Sequence, residues 1–278
     1  MKTMFYTALF LGFAAAAGPR PNIIVFLTDD QDKESIGAYG HEAWTPNLDR
    51  MAKEGVLFHN AFVASTVCTP SRYGFLTGRY ASRSTHEIFT RDYPEGTQAF
   101  PAFNVGLEED NLNVGAMMSA AGYRTGYVGK FHAGGIEGLR TPEDYAKYGM
   151  TYLPKGAKDS PETTAIFRQN ERAARKMLTD RGFDWAKNIY LGNMVKPYHD
   201  HNLEWTIDAA LEFIEDSKDQ PFYLHFCTTL VHGPDGSCSA SMEEPLCSGE
   251  GRLDAPIHPE GMLTRKAILA ELKKRGLD

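Results

Sequence analysis

The chain has 278 residues, of which 42% are hydrophobic and 23% are charged, and its formal net charge is −7 at pH 7. This much apolar sequence excludes a mainly disordered chain, and the acidic excess argues against a nucleic-acid-binding protein, which usually presents a basic stripe. The length of 278 residues corresponds to one large or two small domains.

Residues 1–18 have the pattern of a secretory signal peptide. Lys2 gives a positive start, a mostly apolar run extends from Met4 to Phe13, and small residues follow from Ala14 to Ala17. The run is shorter than the roughly 18 apolar residues that cross a bilayer. We therefore expect a signal peptide over 1–18, a secreted or periplasmic protein and no membrane span. An interfacial anchor or a buried helix is the alternative.

The rest of the sequence alternates between strand and helix patterns. The apolar run Asn22–Leu27 predicts a strand buried on both faces, and Pro46 opens a helix that ends before Gly55. Further strands are predicted over 56–62, 123–128 and 221–230, and further helices over 112–121, 162–180, 203–214 and 262–275. This alternation predicts an α/β fold with a mostly parallel sheet.

Two adjacent carboxylates, Asp29 and Asp30, follow the first predicted strand after Thr28. In open α/β sheets, ligands bind beyond the carboxyl ends of the strands. Two carboxylates brought together repel unless one is protonated or a cation lies between them, and oxygen ligands favour Ca²⁺ or Mg²⁺. Taken alone, the pair fits a solvated turn with one Asp capping a helix better than a metal site.

The most specific motif is Cys68-Thr69-Pro70-Ser71-Arg72, followed by Leu-Thr-Gly-Arg over 76–79. A lone Cys before a Pro is ordinarily a buried thiol, whereas a nucleophilic Cys needs a nearby cation such as Arg72. The complete pattern resembles the signature of the sulfatase family. In that family, a dedicated enzyme oxidises the cysteine to Cα-formylglycine.

Other segments resemble the same family in the same order. They are the first strand with its Asp pair, Gly129-Lys130-Phe131-His132, and His232-Gly233-Pro234. The resemblance implies a three-layer sandwich with a mostly parallel central sheet, alkaline-phosphatase-like, over residues 19–278. A phosphate loop at 126–130 is excluded, because Arg124 and Phe131 stand where it needs Gly and Ser or Thr.

The resemblance also implies hydrolysis of sulfate esters or sulfamates by the hydrated aldehyde of formylglycine at position 68. Asp29, Asp30 and residue 68 are then expected to bind Ca²⁺, with Mg²⁺ the less favoured ion. Arg72 is expected to stabilise the hydrate and its anion.

Three further residues are assigned to the reaction by the same resemblance. Lys130 is expected to bind the sulfate oxygens, and His132 to act as the base in the elimination step. His232 is expected to contact the sulfate or to protonate the leaving oxygen. Other histidines receive no such role, among them His199, His201 and His225, although the His199 region and the loop 235–260 are candidate substrate-facing segments.

Two alternatives stay open. Phosphonate and phosphodiester hydrolases of the same superfamily also include formylglycine enzymes. An inactive fragment is the other alternative, since no Ser-Asp-x-Gly-like segment supplies the later metal ligands. We expect a C-terminally truncated member that binds Ca²⁺ weakly, turns over poorly and exposes an apolar sheet edge.

The expected partners are a sulfated small molecule or carbohydrate and a formylglycine-generating or equivalent enzyme, with no nucleic acid. Of the four cysteines, Cys227 is expected to be a buried small hydrophobe, and Cys238 and Cys247 could form a disulfide.

Overall fold

The structure, a computed structural model, describes residues 20–232 and 243–277. Its principal strands are β1 (Ile23–Leu27), β2 (Arg124–Lys130), β3 (Trp185–Tyr190) and β4 (Phe222–Cys227), with the two-residue strands β5 (Cys247–Ser248) and β6 (Gly251–Arg252). Its helices are α1 (Pro46–Glu54), α2 (Cys68–Thr77), α3 (Glu87–Asp92), α4 (Val114–Ala120), α5 (Pro142–Lys147), α6 (Pro161–Asp180), α7 (Leu203–Ser217) and α8 (Arg265–Lys274).

A parallel four-stranded sheet in the order β1-β4-β2-β3 forms the centre of the fold. Every residue of β4 is buried, as expected for a strand with neighbours on both sides and helices on both faces. Because the four strands are parallel, their carboxyl ends lie along one edge of the sheet. The short strands β5 and β6 form a separate antiparallel pair.

Helices cover both faces of this sheet. On one face, Phe213 of α7 packs with Phe222 and Leu224 of β4. On the other, Leu178 of α6 belongs to a larger apolar cluster that includes Tyr127 of β2. The expected mostly parallel sheet with flanking helices is confirmed.

The two long helices begin where local sequence signals place them. Ser160 caps α6 by accepting a hydrogen bond from the Thr163 amide at 3.2 Å, and Pro161 occupies the first helical position. Asn202 caps α7 by accepting from the Trp205 amide at 2.9 Å. These caps satisfy amide groups that have no acceptor within the helix.

The predicted strand over 56–62 is wrong, because this segment is irregular. Val56, Phe58 and Phe62 are all exposed, so their apolar side chains do not pack on the sheet. Within the described part of the chain this segment pairs with no strand, and strand propensity without cross-strand packing does not form one. The sequence also did not predict α2 and β3, and β4 is shorter than the predicted 221–230.

Strand β1 has a sheet neighbour on one side only within the described residues. Ile24 and Phe26 are about half exposed, at 50% and 49%, which agrees with the expected apolar edge. Cys227 is fully buried, as predicted.

Other expectations fall outside the described ranges, namely the signal peptide over 1–18 and the pairing of Cys238 with Cys247. No helix within 20–232 and 243–277 combines the length and the apolar character that crossing a membrane requires.

Candidate active site at the carboxyl edge of the sheet

Cys68 is the first residue of α2. Pro70 fits in this first turn, because amide groups there have no acceptor within the helix and a missing N–H costs nothing. Burial raises the pKa of the partly buried Cys68 thiol, although the charges of Lys130 and Arg72 act in the opposite direction. The unmodified side chain is therefore a thiol rather than a thiolate near neutral pH.

Asp29 is buried two residues after the end of β1, and its backbone is hydrogen-bonded to the chain that follows β4. Its amide donates to the Leu230 carbonyl at 2.9 Å, and its carbonyl accepts from the Val231 amide at 2.8 Å. The side chain is only 3% exposed. Its Oδ1 lies 3.3 Å from Arg72 Nη2, and its Oδ2 pairs with Lys130 Nζ. Burial alone raises the pKa of Asp29, but these two cations outweigh it and lower the pKa below its usual value.

Arg72 and Lys130 are also joined to each other. The Arg72 guanidinium donates from Nη1 to the Lys130 carbonyl at 2.9 Å, and the Tyr127 hydroxyl donates to the same carbonyl at 3.0 Å. Lys130 Nζ donates to Asn193 Oδ1 at 2.7 Å. The two buried cations and one carboxylate therefore form a connected group with a net positive charge.

Gly129 produces a local irregularity that precedes Lys130. The register between β2 and β3 shifts between Val128 and Gly129, and Gly129 has φ of +87°. A Cβ at this position would stand 1.8 Å from the Cys227 carbonyl oxygen, so only glycine fits. Such shifts redirect the following side chains, here towards the edge where Asp29 lies.

His132 follows β2 with φ of +45° and is 3% exposed. Its Nε2 lies 2.9 Å from Glu137 Oε1, and its ring stacks on Phe103 with centroids 5.4 Å apart. Burial lowers the pKa of His132, with Glu137 opposing the shift. The contact with Glu137 fixes the orientation of the ring, as carboxylates commonly do for reacting histidines.

The two neighbouring aspartates are placed differently. Unlike the buried Asp29, Asp30 has a side chain that is 54% exposed, and its Oδ2 lies 3.5 Å from His232 Nε2. The two side chains have different surroundings because the backbone turns at Asp30, which has a left-handed φ of +53°.

A cavity of about 100 Å³ lies between the ends of β2, β3 and β4, and we call it the polar cavity because most of its lining residues are polar. Lys130, Asn193, His201, Thr229 and His232 contribute to its lining. The structure thus brings together Lys130 and His232, which the sequence singled out, with Asn193 and His201, which it did not.

His201 is 4% exposed, and its pKa is lowered to about 4, first by burial and then by the charges of His232 and Lys130. The sequence assigned no role to His201 and indicated only that the region around His199 could face the substrate. Asn193 could have been found only by recognising β3, since it follows the carboxyl end of that strand.

Several buried polar atoms at this edge have no hydrogen-bond acceptor or donor in the described protein. They are Thr69 Oγ1, Arg72 Nε, His132 Nδ1 and His201 Nδ1. Unpaired buried polar atoms cost free energy and are rare, so their concentration at one edge marks groups directed at a ligand. Two fixed cations among these groups suit a tetrahedral oxyanion.

The described residues do not assemble a complete cation site. Within 20–232 and 243–277, no group of three or more His, Cys, Asp or Glu is placed to hold a metal ion. Asp29, Asp30 and Cys68 were expected to ligate the ion together. Both Asp29 oxygens instead contact Arg72 or Lys130, and Asp30 pairs with His232.

Comparison with known proteins identifies a shared family and fold. A family model described as sulfatase matches residues 21–248. An arylsulfatase of Hemicentrotus pulcherrimus is 30% identical over 234 residues, covering 80% of this chain and 40% of that protein. A rat N-acetylgalactosamine-6-sulfatase is 37% identical over 235 residues, covering 81% of this chain and 42% of the relative. Human steryl-sulfatase is 39% identical over 136 residues, covering 48% of this chain and 23% of that protein.

A solved structure from work on the metabolism of multiple glycosaminoglycans by Bacteroides thetaiotaomicron has a similar fold. It matches with a TM-score of 0.51 and 20% identity, over 92% of this chain and 58% of that one. The chain spans less than half the length of the three curated relatives, of which it covers 40%, 42% and 23%.

Proposed function

This chain belongs to the sulfatase family, and on that basis we propose that its site hydrolyses sulfate esters or sulfamates with a nucleophile derived from Cys68. The observation that carries the proposal is the group formed by Arg72, Lys130 and Asp29. It places two buried cations at the sheet edge beside the first turn of the helix that Cys68 begins. A sulfate ester is an anion, so a nucleophile approaches it only where fixed positive charge offsets the repulsion.

Lys130 and Asn193 are the proposed sulfate-binding groups. Lys130 is 1% exposed, so its charge acts through a medium of low dielectric and attracts an anion more strongly than a solvated ammonium does. Asn193 Oδ1 accepts from Lys130 Nζ, which holds the ammonium at the cavity wall.

Cys68 is proposed to act only after conversion to formylglycine. A thiol with a raised pKa is a poor nucleophile near neutral pH, which argues against direct attack by sulfur. When formed, the hydrated aldehyde would supply two hydroxyl groups, one for attack and one for release of the sulfate. Arg72, which contacts Asp29 and the Lys130 carbonyl, is the side chain proposed to stabilise this group.

His132 is the proposed base and His232 the proposed acid for the leaving oxygen. His132 has a lowered pKa, so its ring is neutral at pH 7 and can take a proton, and Glu137 stabilises the charge that results. The His232 ring is 18% exposed and lies on the cavity wall, where a leaving group can reach it.

We further propose that Asp29 and Asp30 contribute oxygen ligands to a Ca²⁺ site. The described residues offer only part of such a site, so no reaction step is derived from the ion. Export through the signal peptide and maturation by a formylglycine-generating enzyme complete the proposal.

The proposal is tested by expressing the full chain with a formylglycine-generating enzyme. Mass spectrometry of the peptide containing Cys68 should show the aldehyde, and the protein should release 4-nitrophenol from 4-nitrophenyl sulfate. Cys68→Ala should abolish both signals, whereas Cys247→Ala serves as the matched control and should retain them.

Two results would overturn this assignment. Faster cleavage of an aryl phosphonate than of the aryl sulfate would support the phosphonate hydrolase alternative. An aldehyde at position 68 without any turnover would identify the 278-residue chain as inactive by itself.

A further inference from the structure

A second cavity of about 160 Å³ lies beside the polar cavity. Its wall is formed largely by apolar and aromatic side chains, including Ile136, Leu153, Phe167, Tyr190 and Tyr198. An apolar cavity of about 150 Å³ is large enough to hold one benzene ring and does not readily hold water. Its size and lining therefore favour an apolar group of one six-membered ring.

Three polar side chains in the lining of this second cavity are already hydrogen-bonded to the protein. Asn170 exchanges two hydrogen bonds with the Thr151 backbone, at 2.8 and 2.9 Å. The Tyr198 hydroxyl donates to Asp159 at 2.8 Å, and Ser248 Oγ accepts from the Glu250 amide at 3.0 Å. A ligand here gains little by presenting hydroxyl groups, which disfavours a sugar ring.

Glu137 is the charged residue in the lining of this cavity. Burial raises the pKa of Glu137, but its contact with His132 outweighs this and keeps the pKa below its usual value, so the carboxylate is ionised at neutral pH. A negative charge on the wall repels a second anionic group. The lining thus disfavours a ligand part that carries additional sulfate or carboxylate groups.

The segment 192–194 lines both cavities. The Asn193 side chain accepts a hydrogen bond from Lys130 in the polar cavity, and the Asn193 backbone amide donates to Glu137 Oε1 at 3.4 Å. The backbone of Gly192 lies close to both Glu137 and His132. A Cβ on this glycine would stand 2.7 Å from Glu137 Oε1 and 3.1 Å from His132 Cδ2. The apolar cavity therefore adjoins the groups assigned to sulfate binding and proton transfer.

We propose that this cavity binds the uncharged part of the substrate, an apolar group the size of one aromatic ring, while its sulfate contacts Lys130 and Asn193. This inference rests on the proposed function for the identity of the anionic end. The recognition of a neutral ring depends on the cavity alone, so the two can be tested separately.

The test measures binding of 4-methylphenol, which is neutral at pH 7, to the full chain by isothermal titration calorimetry. We expect saturable binding, because the cavity accommodates one apolar ring without any anionic group on the ligand.

Val195→Trp is the variant that fills the cavity. Val195 lines it but is 51% exposed, so a larger side chain can enter from the rim without disturbing the core. We expect it to weaken 4-methylphenol binding at least about tenfold. Val56→Trp, at a 76% exposed position away from the cavity, is the matched control and should bind as the parent does. Circular dichroism spectra verify that both variants fold.

The outcomes separate the two proposals. If 4-methylphenol does not bind, or binds Val195→Trp as well as the parent, the cavity assignment is overturned even if 4-nitrophenyl sulfate is hydrolysed. If 4-methylphenol binds and Val195→Trp prevents it, the cavity assignment stands even if no sulfate ester is cleaved.

Discussion

Replacing Gly129 by alanine tests how closely the end of β2 approaches β4. Gly129 has φ of +87°, and the added Cβ would stand 1.8 Å from the carbonyl oxygen of Cys227. That carbonyl belongs to β4, the strand paired with both β1 and β2. It cannot move away without disturbing both pairings.

Two separate costs contribute to the loss of stability. Holding alanine at a positive φ costs about 1–2 kcal/mol. Forcing a methyl group against fixed backbone adds about 1–3 kcal/mol or more. We therefore expect Gly129→Ala to lower the free energy of unfolding by about 2–5 kcal/mol.

Gly156→Ala separates these two costs. Gly156 has a similar φ of +82°, but an added Cβ meets nothing within 4 Å. Urea unfolding of the parent and both variants should show a loss of about 1–2 kcal/mol for Gly156→Ala and a clearly larger loss for Gly129→Ala. Equal losses would refute the close approach of β2 to Cys227.

Three further predictions address the core, the last helix and the site. Burial lowers the pKa of His225 in the folded protein to about 3. Between pH 6.5 and 3, His225 therefore binds more protons in the unfolded chain than in the folded one. Stability should thus fall by about 1.4 kcal/mol per pH unit as pH decreases through this window, and His225→Gln should flatten that slope in urea titrations. Arg265→Met leaves the buried carboxylate of Glu204 without its two 2.8 Å contacts and should cost about 3–5 kcal/mol, much of it recovered when Glu204→Met is added. Asn193→Ala removes an acceptor from Lys130 and should raise KM for 4-nitrophenyl sulfate at least about tenfold, as expected for a hydrogen bond to a charged group.

Each of these predictions has a contradicting result. An unchanged pH slope in His225→Gln would mean that other groups control acid stability. If Arg265→Met and the double variant are equally stable, the unpaired buried charge of Glu204 is not what destabilises the single variant. An unchanged KM in Asn193→Ala would remove this residue from the sulfate-binding wall.

The local features of this protein are set by its sequence. Ser160 and Pro161 start α6, and the continuous apolar run of β4 predicts a strand covered on both faces. These features depend on residues a few positions apart, so the sequence contains all the information they need. The cysteine motif at 68–72 likewise indicates the family without reference to the fold.

Only the tertiary structure decided how the site is assembled. Lys130 meets Asp29 although 101 positions separate them, and it meets Asn193 across 63. Such contacts depend on the strand order and on the register shift at Gly129, which no local pattern reveals. The same dependence applies to the predicted strand at 56–62, because an apolar segment becomes a strand only where it packs beside another strand, and this one does not. It also explains why Asp29 is buried between two cations while the adjacent Asp30 faces solvent.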